Sequence, residues 1–394
     1  MLQPFLRRWL VALLFASLTS IVFSLFSNDV AYANEESIDN TEVLHLESEV
    51  TVPDALWQSS SEDNAEESTE ESIEESPEEE APTMALIPPP PLDPPPLKQL
   101  TIMLDWYLSP QHAALVIAKE RGLFAAQGLA VELQTPADPT IAIKLLAAGD
   151  VDLALTRQPL LHLHAHDGAP IARIGTLFET PLTAVIVSGE QHQGEDPLMH
   201  LEGLHYGFST REGRDTVLQQ VRPHSVQQID TVMPPENVRF TATTALREGR
   251  VEAIADGFFH YLPPQLATEG IATHVVQYHE LEIPRHDGLI IVANSDTATR
   301  RAPTWSRFLI ALEEASYWII DNPEAAWSLL TATHPVLDNA INAQAWEDLL
   351  RRMTLSPAAL DTRRYKAFEN FLLQAELINA VLPVSRLAID PHSI

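Results

Sequence analysis

From residue 100 onward, short apolar runs of β character alternate with helix-forming stretches, and this alternation limits the possible folds more than any other feature of the chain. A first strand is read over 100–104, ending at Asp105 and Trp106. Ser109 and Pro110 then open a helix over 113–121 that Gly122 stops. Leu129, Val131 and Leu133 alternate with Ala130 and Glu132 in a second strand. A helix over 139–148 ends at Gly149, and a third strand follows over 151–155. A helix over 159–166 ends at Gly168, and strands are read over 171–177 and 184–187. Strands separated by helices over short connections run parallel in an α/β sheet.

The pattern then starts again. A strand over 205–208 leads through a polar turn, 209–213, into a helix from Arg214. Further strands are read over 238–241, 253–256 and 289–292, with a helix over 244–250. From Ala302 onward the chain reads as helical, over 305–320, 323–331, 342–353 and 362–377. No repeat of 20–50 residues is present. The expectation is two α/β units and a helical C-terminal layer.

Composition matters chiefly through its unevenness. The formal net charge is −31, and 18 acidic residues with no Lys or Arg fall between Glu35 and Glu80. The excess charge therefore describes a tail more than a folded surface. Neither part carries a basic patch for phosphate backbones, so nucleic acid is not an expected partner. The chain has no cysteine, which excludes disulfides, Cys-ligated zinc, thiol nucleophiles and lipid-modified cysteine. Arg7 and Arg8 precede an apolar run over 9–26, and Ala31-Tyr32-Ala33 reads as a cleavage site. Residues 1–33 are read as a signal peptide cut after Ala33. An uncleaved anchor stays open, since 18 mostly apolar residues nearly span a bilayer. Either way the rest lies outside the cytoplasm, in the periplasm. Residues 34–98 are read as a disordered acidic, Pro-rich linker, and 99–394 as the working domain.

Particular residues carry a resemblance. They are Leu104-Asp105-Trp106, His112, the run from Ile117 through Arg121-Gly122-Leu123-Phe124, Gln127-Gly128-Leu129, and Leu146-Ala147-Ala148-Gly149-Asp150-Val151-Asp152. Weaker matches are Gly249-Arg250-Val251-Glu252-Ala253 and Asp321-Asn322-Pro323-Glu324-Ala325-Ala326. These resemble the substrate-binding proteins of sulfonate and thiamine-precursor transporters, together with the thiamine-pyrimidine synthases. The resemblance implies a two-lobed, type II periplasmic-binding-protein fold with hinge crossovers. Lobe one would comprise about 99–185 and 290–394, and lobe two about 186–289. It also implies a monomer that binds a small molecule between its lobes and passes it to an ABC-type permease.

Ligands of open α/β sheets bind outside the carboxyl ends of the strands. Asp105 and Trp106 end the first strand: an indole can stack a planar ring, and a carboxylate can accept from ring amino groups. The resemblance adds His112 and favours a pyrimidine-like ligand over a sulfonate. Core packing is the alternative for Trp106. The turn Ser209-Thr210-Arg211-Glu212-Gly213 offers free N–H groups to a ligand, or is a plain helix cap. In the resembling proteins this turn is richer in glycine; here Gly213 remains and Glu212 would repel a phosphate. Gln158, Glu179 and Thr180 are read as lining the cleft beside the third strand and the first crossover. Asp256 and Phe258-Phe259 would face it from lobe two, with Phe259 read as covering the opposite ring face and core packing of one Phe left open. His162, His164 and His166 invite a metal reading, but on a helix His164 points away from the other two, and no metal or cofactor is expected.

An enzyme with the same fold is a rival reading. The resembling synthases use a lysine that carries pyridoxal phosphate and a cysteine-rich segment. This chain has Thr156 at the corresponding place and no cysteine. A third reading, a membrane-tethered sensor or adaptor, draws on the acidic linker and the possible anchor.

Overall fold

The computed structural model describes residues 96–189, 201, 203–221 and 233–391. The segments read as an export signal and an acidic linker, apart from 96–98, lie outside the described residues. Ten strands are present among those described: β1 (Lys98–Met103), β2 (Leu129–Gln134), β3 (Leu153–Thr156), β4 (Ile171–Phe178), β5 (Thr183–Ser188), β6 (Tyr206–Phe208), β7 (Glu236–Asn237), β8 (Ala253–Phe258), β9 (Thr273–Val276) and β10 (Leu289–Asn294). They form two five-stranded sheets, ordered β2-β1-β3-β10-β4 and β7-β6-β8-β5-β9. β1 is parallel to β2 and β3, and β6 is parallel to β7 and β8. β10 runs antiparallel between β3 and β4. In the same way, β5 runs antiparallel between β8 and β9. Each sheet is thus completed by a strand that arrives from the other, and the chain crosses between them twice.

This topology moves one expected boundary. The expected start of lobe two at about 186 falls inside β5, which lies wholly in the second sheet. The first crossover is therefore at 179–182. All of Thr183–Val187 is buried there, so the apolar run belongs to that sheet as a unit. The two crossovers touch. Gly288 donates its N–H to the Phe178 carbonyl at 2.9 Å. A Cβ on Gly288 would stand 2.0 Å from the Thr180 carbonyl oxygen, so only glycine allows this approach.

Helices cover both faces of both sheets, as buried α/β sheets require. The main ones are α1 (Ala113–Glu120), α2 (Ala142–Ala148), α3 (Gln158–His166), α4 (Ala242–Arg247), α5 (Leu262–Thr268), α6 (Ser295–Asp321), α7 (Pro323–Thr333), α8 (Ala340–Arg352) and α9 (Thr362–Gln374). α1 and α6 pack Leu115, Trp305, Phe308 and Leu312 against one face of the first sheet. α6 starts ten residues before the expected 305, because Asn294 caps it by accepting from the Asp296 N–H at 3.0 Å. It carries Pro303 in its interior, which disguised that start.

The C-terminal layer does not stay on lobe one. Tyr365 of α9 is buried with the first sheet, whereas Phe368 and Leu372 are buried with the second. Two local readings also change. The strand read over 238–241 is the two-residue β7, because Arg239 takes a left-handed φ of 48° that no strand continues. The helix read from Arg214 begins earlier, as a π-helical turn over Glu212–Val217.

Candidate functional site

Trp106 leaves the carboxyl end of β1 and meets aromatic rings from the other lobe. Its centroid lies 4.5 Å from Phe240 and 5.2 Å from Phe258, both edge to face. Tyr107 lies 5.7 Å from Tyr261, also across the lobes. These side chains, with Ser209, Asp256 and Gln265, line a pocket of about 200 Å³. A cavity of roughly 150 Å³ accepts one benzene ring, so this one is sized for a single substituted six-membered ring. The Trp106 Nε1 is buried without a hydrogen-bond partner among the described residues. Burial, with Tyr261 beside it, pushes the Tyr107 hydroxyl well above its ordinary range, so it stays a neutral donor and acceptor.

Next to Trp106 in sequence, Asp105 is tied to His112. The Ser109 backbone N–H donates to His112 Nδ1 at 3.1 Å. That nitrogen is therefore the acceptor, and the ring proton sits on Nε2, 2.9 Å from Asp105 Oδ1. The Gln111 amide also donates to Asp105, at 3.3 Å. The histidine clamps the Asp105 side chain, and both are buried.

On lobe two the turn after β6 is occupied by a side chain of its own lobe. Asp256 Oδ1 accepts from the Ser209 N–H at 2.7 Å. Asp256 Oδ2 accepts from the Thr210 N–H at 2.8 Å and from its hydroxyl at 2.7 Å. Gly213 packs against this carboxylate: a Cβ there would lie 2.8 Å from Asp256 Cγ. Arg157, directly after β3, reaches across from lobe one. Its Nη2 donates to Thr210 Oγ1 at 3.0 Å, and its Nη1 stands 2.9 Å from Glu212 Oε2. Burial pushes the Asp256 carboxyl up, and Arg157 and the turn donors offset this only in part, leaving it raised. Burial also works against the Glu212 charge, but there Arg157 and His286 prevail and the carboxyl is lowered. Arg157 and Glu212 thus form a buried ion pair between the lobes.

A second network holds the crossovers. The Asp287 N–H donates to Gln158 Oε1 at 2.8 Å, which fixes the orientation of that amide. Gln158 Nε2 then donates to His162 Nε2 at 3.1 Å, so the His162 proton lies on Nδ1, 2.6 Å from Glu369. Burial lowers the His162 pKa and keeps the ring neutral. His166 joins the same carboxylate at 3.0 Å, while His164 does not. The carboxylate that completes the two histidines comes from α9, about 200 residues away in sequence. Among the described residues no cluster is arranged to hold a metal ion.

The residues singled out from sequence thus fall into separate places. Trp106, Ser209 and Asp256 meet in the aromatic pocket, with Thr210 and Gly213 packed on Asp256. Asp105 and His112 bond each other, and Gln158 serves the crossover. Glu179 and Thr180 line a different, open hollow of about 660 Å³ with Arg285 and Arg352. Phe259 does not face Trp106. Its ring lies 4.9 Å from the Arg352 guanidinium, and Phe258 takes the place by the indole. Successive residues of a strand point to opposite sides, and the strand runs through Phe258. Sequence reasoning missed Phe240, Tyr261 and Arg157, and placed Tyr107 at the strand end beside Trp106 without giving it a role. Only Arg157 carried a signal, as a charged residue ending a buried apolar strand.

Comparison with known proteins adds context to this geometry. The sequence model of the family described as "NMT1/THI5 like" matches residues 109–326. A Haemophilus influenzae protein named for thiamine biosynthesis is 34% identical over 297 residues, covering 74% of this chain and 92% of that protein. The formylaminopyrimidine-binding protein of Halalkalibacterium halodurans is 27% identical, covering 59% and 70%. A relative from Aspergillus parasiticus, named 4-amino-5-hydroxymethyl-2-methylpyrimidine phosphate synthase, is 22% identical, covering 62% and 75%. Among solved structures, the alkanesulfonate-binding protein from Xanthomonas axonopodis superposes with a TM-score of 0.56 at 17% identity, covering 75% and 99%. That likeness establishes the periplasmic-binding-protein fold.

Proposed function

The chain belongs to the NMT1/THI5-like family, and from that premise we propose that it is an exported receptor for a thiamine pyrimidine precursor or a similar planar heterocycle. The observation that carries this is the pocket of about 200 Å³ walled by aromatic rings from both lobes. A flat ring entering it gains apolar contact on Trp106, Phe240 and Phe258. The Trp106 N–H and the Asp256 carboxylate supply a donor and an acceptor for its polar edge. Contacts from both lobes exist together only when the lobes are closed, so ligand binding favours closure. A monomer in the periplasm would present that closed form to an ABC-type permease. The name of the Halalkalibacterium relative agrees with this ligand class.

The synthase reading takes support from the fungal relative's name. The residues of this chain speak against it, since the chain has no cysteine and among the described residues no lysine lines the pocket. Thr156 is buried in β3, paired with Ile290, and is not among the residues that line the pocket.

Intrinsic fluorescence of the intact chain during titration with 4-amino-5-hydroxymethyl-2-methylpyrimidine and its formylamino relative tests the proposal. A saturable change is expected. In Trp106→Ala, with circular dichroism unchanged, affinity is expected to fall by about 100-fold, the scale of losing an aromatic anchor. An unaltered titration in that variant would remove Trp106 from the site.

A further inference from the structure

We infer that Asp256 makes this pocket selective for uncharged amino-substituted rings and closes it to phosphorylated and sulfonated ligands. The inference rests on the receptor reading and names the ligand class within it.

The turn Ser209–Gly213 has the form of an anion cradle: backbone N–H groups converge after a strand, at a helix start. In this chain the cradle is already filled. Asp256 takes the Ser209 N–H at 2.7 Å, the Thr210 N–H at 2.8 Å and the Thr210 hydroxyl at 2.7 Å. Gly213 leaves no room between turn and carboxylate, since even a methyl group there would meet Asp256 Cγ at 2.8 Å. The cation that reaches the turn is also engaged. Arg157 stands 2.9 Å from Glu212 and donates to Thr210.

Asp256 lines the aromatic pocket as well, and among the described residues that lining contains no Lys, Arg or His. An anionic ligand would be placed beside a buried carboxylate, and Arg157, the cation at the turn, is already paired with Glu212, so the repulsion acts where burial weakens screening. The N-terminus of α4 opens on the same pocket, but the partial charge of a helix end is smaller than a full carboxylate charge.

The same geometry favours a ligand N–H. A carboxylate has about four lone-pair positions. Three are taken by the turn, leaving one for a further donor. The Trp106 N–H, without a hydrogen-bond partner among the described residues, supplies the complementary donor. An amino group beside a ring nitrogen, as on a 4-aminopyrimidine edge, matches this pair.

Calorimetric titration of the intact chain with 4-amino-5-hydroxymethyl-2-methylpyrimidine and with its phosphate monoester tests the inference. The alcohol is expected to bind, and the phosphate at least about 100-fold more weakly, the scale of an uncompensated like-charge contact. In Asp256→Asn the gap is expected to shrink to about 10-fold or less as the repulsion goes. Should that variant fail to fold, the wild-type ratio decides alone. A phosphate that binds within about 3-fold of the alcohol overturns the selectivity and leaves the receptor reading standing. A gap unchanged in a folded Asp256→Asn removes Asp256 as its cause. Binding of neither compound overturns the receptor reading and this inference with it.

Discussion

His260, two residues beyond β8, is buried with its Nδ1 lacking a hydrogen-bond partner among the described residues. Burial lowers its pKa from 6.5 to about 4. The folded state therefore binds its proton less readily than the unfolded chain, and stability is lost as pH falls from 6.5 toward 4. The loss from this residue is on the order of 3 kcal/mol by pH 4. His260→Gln, which cannot titrate, is expected to show a shallower decline in urea midpoint between pH 7 and pH 4 than the parent. Equal slopes would place the acid sensitivity elsewhere. Single residues were legible where the chain offered one candidate, as with Trp106 at the end of a clear strand. They were not legible where two neighbours competed. Phe258 and Phe259 differ only in which side of β8 they leave, and the sequence carries no mark of where the strand stops. Asp256 was legible as a residue at the strand end but not as the occupant of the turn, because its partners Ser209 and Thr210 lie 46 or more residues away.

Among elements, α9 does more than cover a sheet. Glu369 accepts from His162 at 2.6 Å, from His166 at 3.0 Å and from the Leu382 N–H at 2.6 Å, joining α9 to α3 and to the C-terminal segment. Glu369→Ala would leave the buried His162 Nδ1–H without an acceptor. The expected cost is about 3 kcal/mol, read as a lower urea midpoint at pH 7, with ligand affinity little changed because Glu369 does not line the aromatic pocket. A variant as stable as the parent would show that these contacts contribute nothing net. The existence of most strands and helices was readable, since period and punctuation encode them. Partner choice was not. The antiparallel insertion of β5 and β10 depends on contacts between runs such as 184–187 and 289–292, whose apolar composition fits any buried position. The edge strand β7 and the α6 start before Pro303 were obscured for local reasons, a left-handed Arg239 and a proline tolerated inside a helix.

At the scale of the molecule, two sheets exchange strands, crossovers meet at Gly288, and the buried Arg157–Glu212 pair spans the lobes. A buried pair of this kind adds little net stability, because desolvation opposes the attraction, but it fixes how the two surfaces meet. Trp106 then faces Phe240 and Phe258 in one register, and the pocket exists only in that arrangement. The two-unit organisation was visible in the restart of the β/α pattern near residue 205. The closed arrangement was not, because it is set by contacts between residues such as Arg157 and Glu212 that no local pattern links. The most direct test of a site shared by both lobes is hydrogen exchange of the intact chain, followed by mass spectrometry, with and without the hydroxymethyl aminopyrimidine. Protection is expected together in 104–112 and in 240–261, one segment from each lobe. Protection confined to a single lobe, or absent from both at saturating ligand, would contradict it.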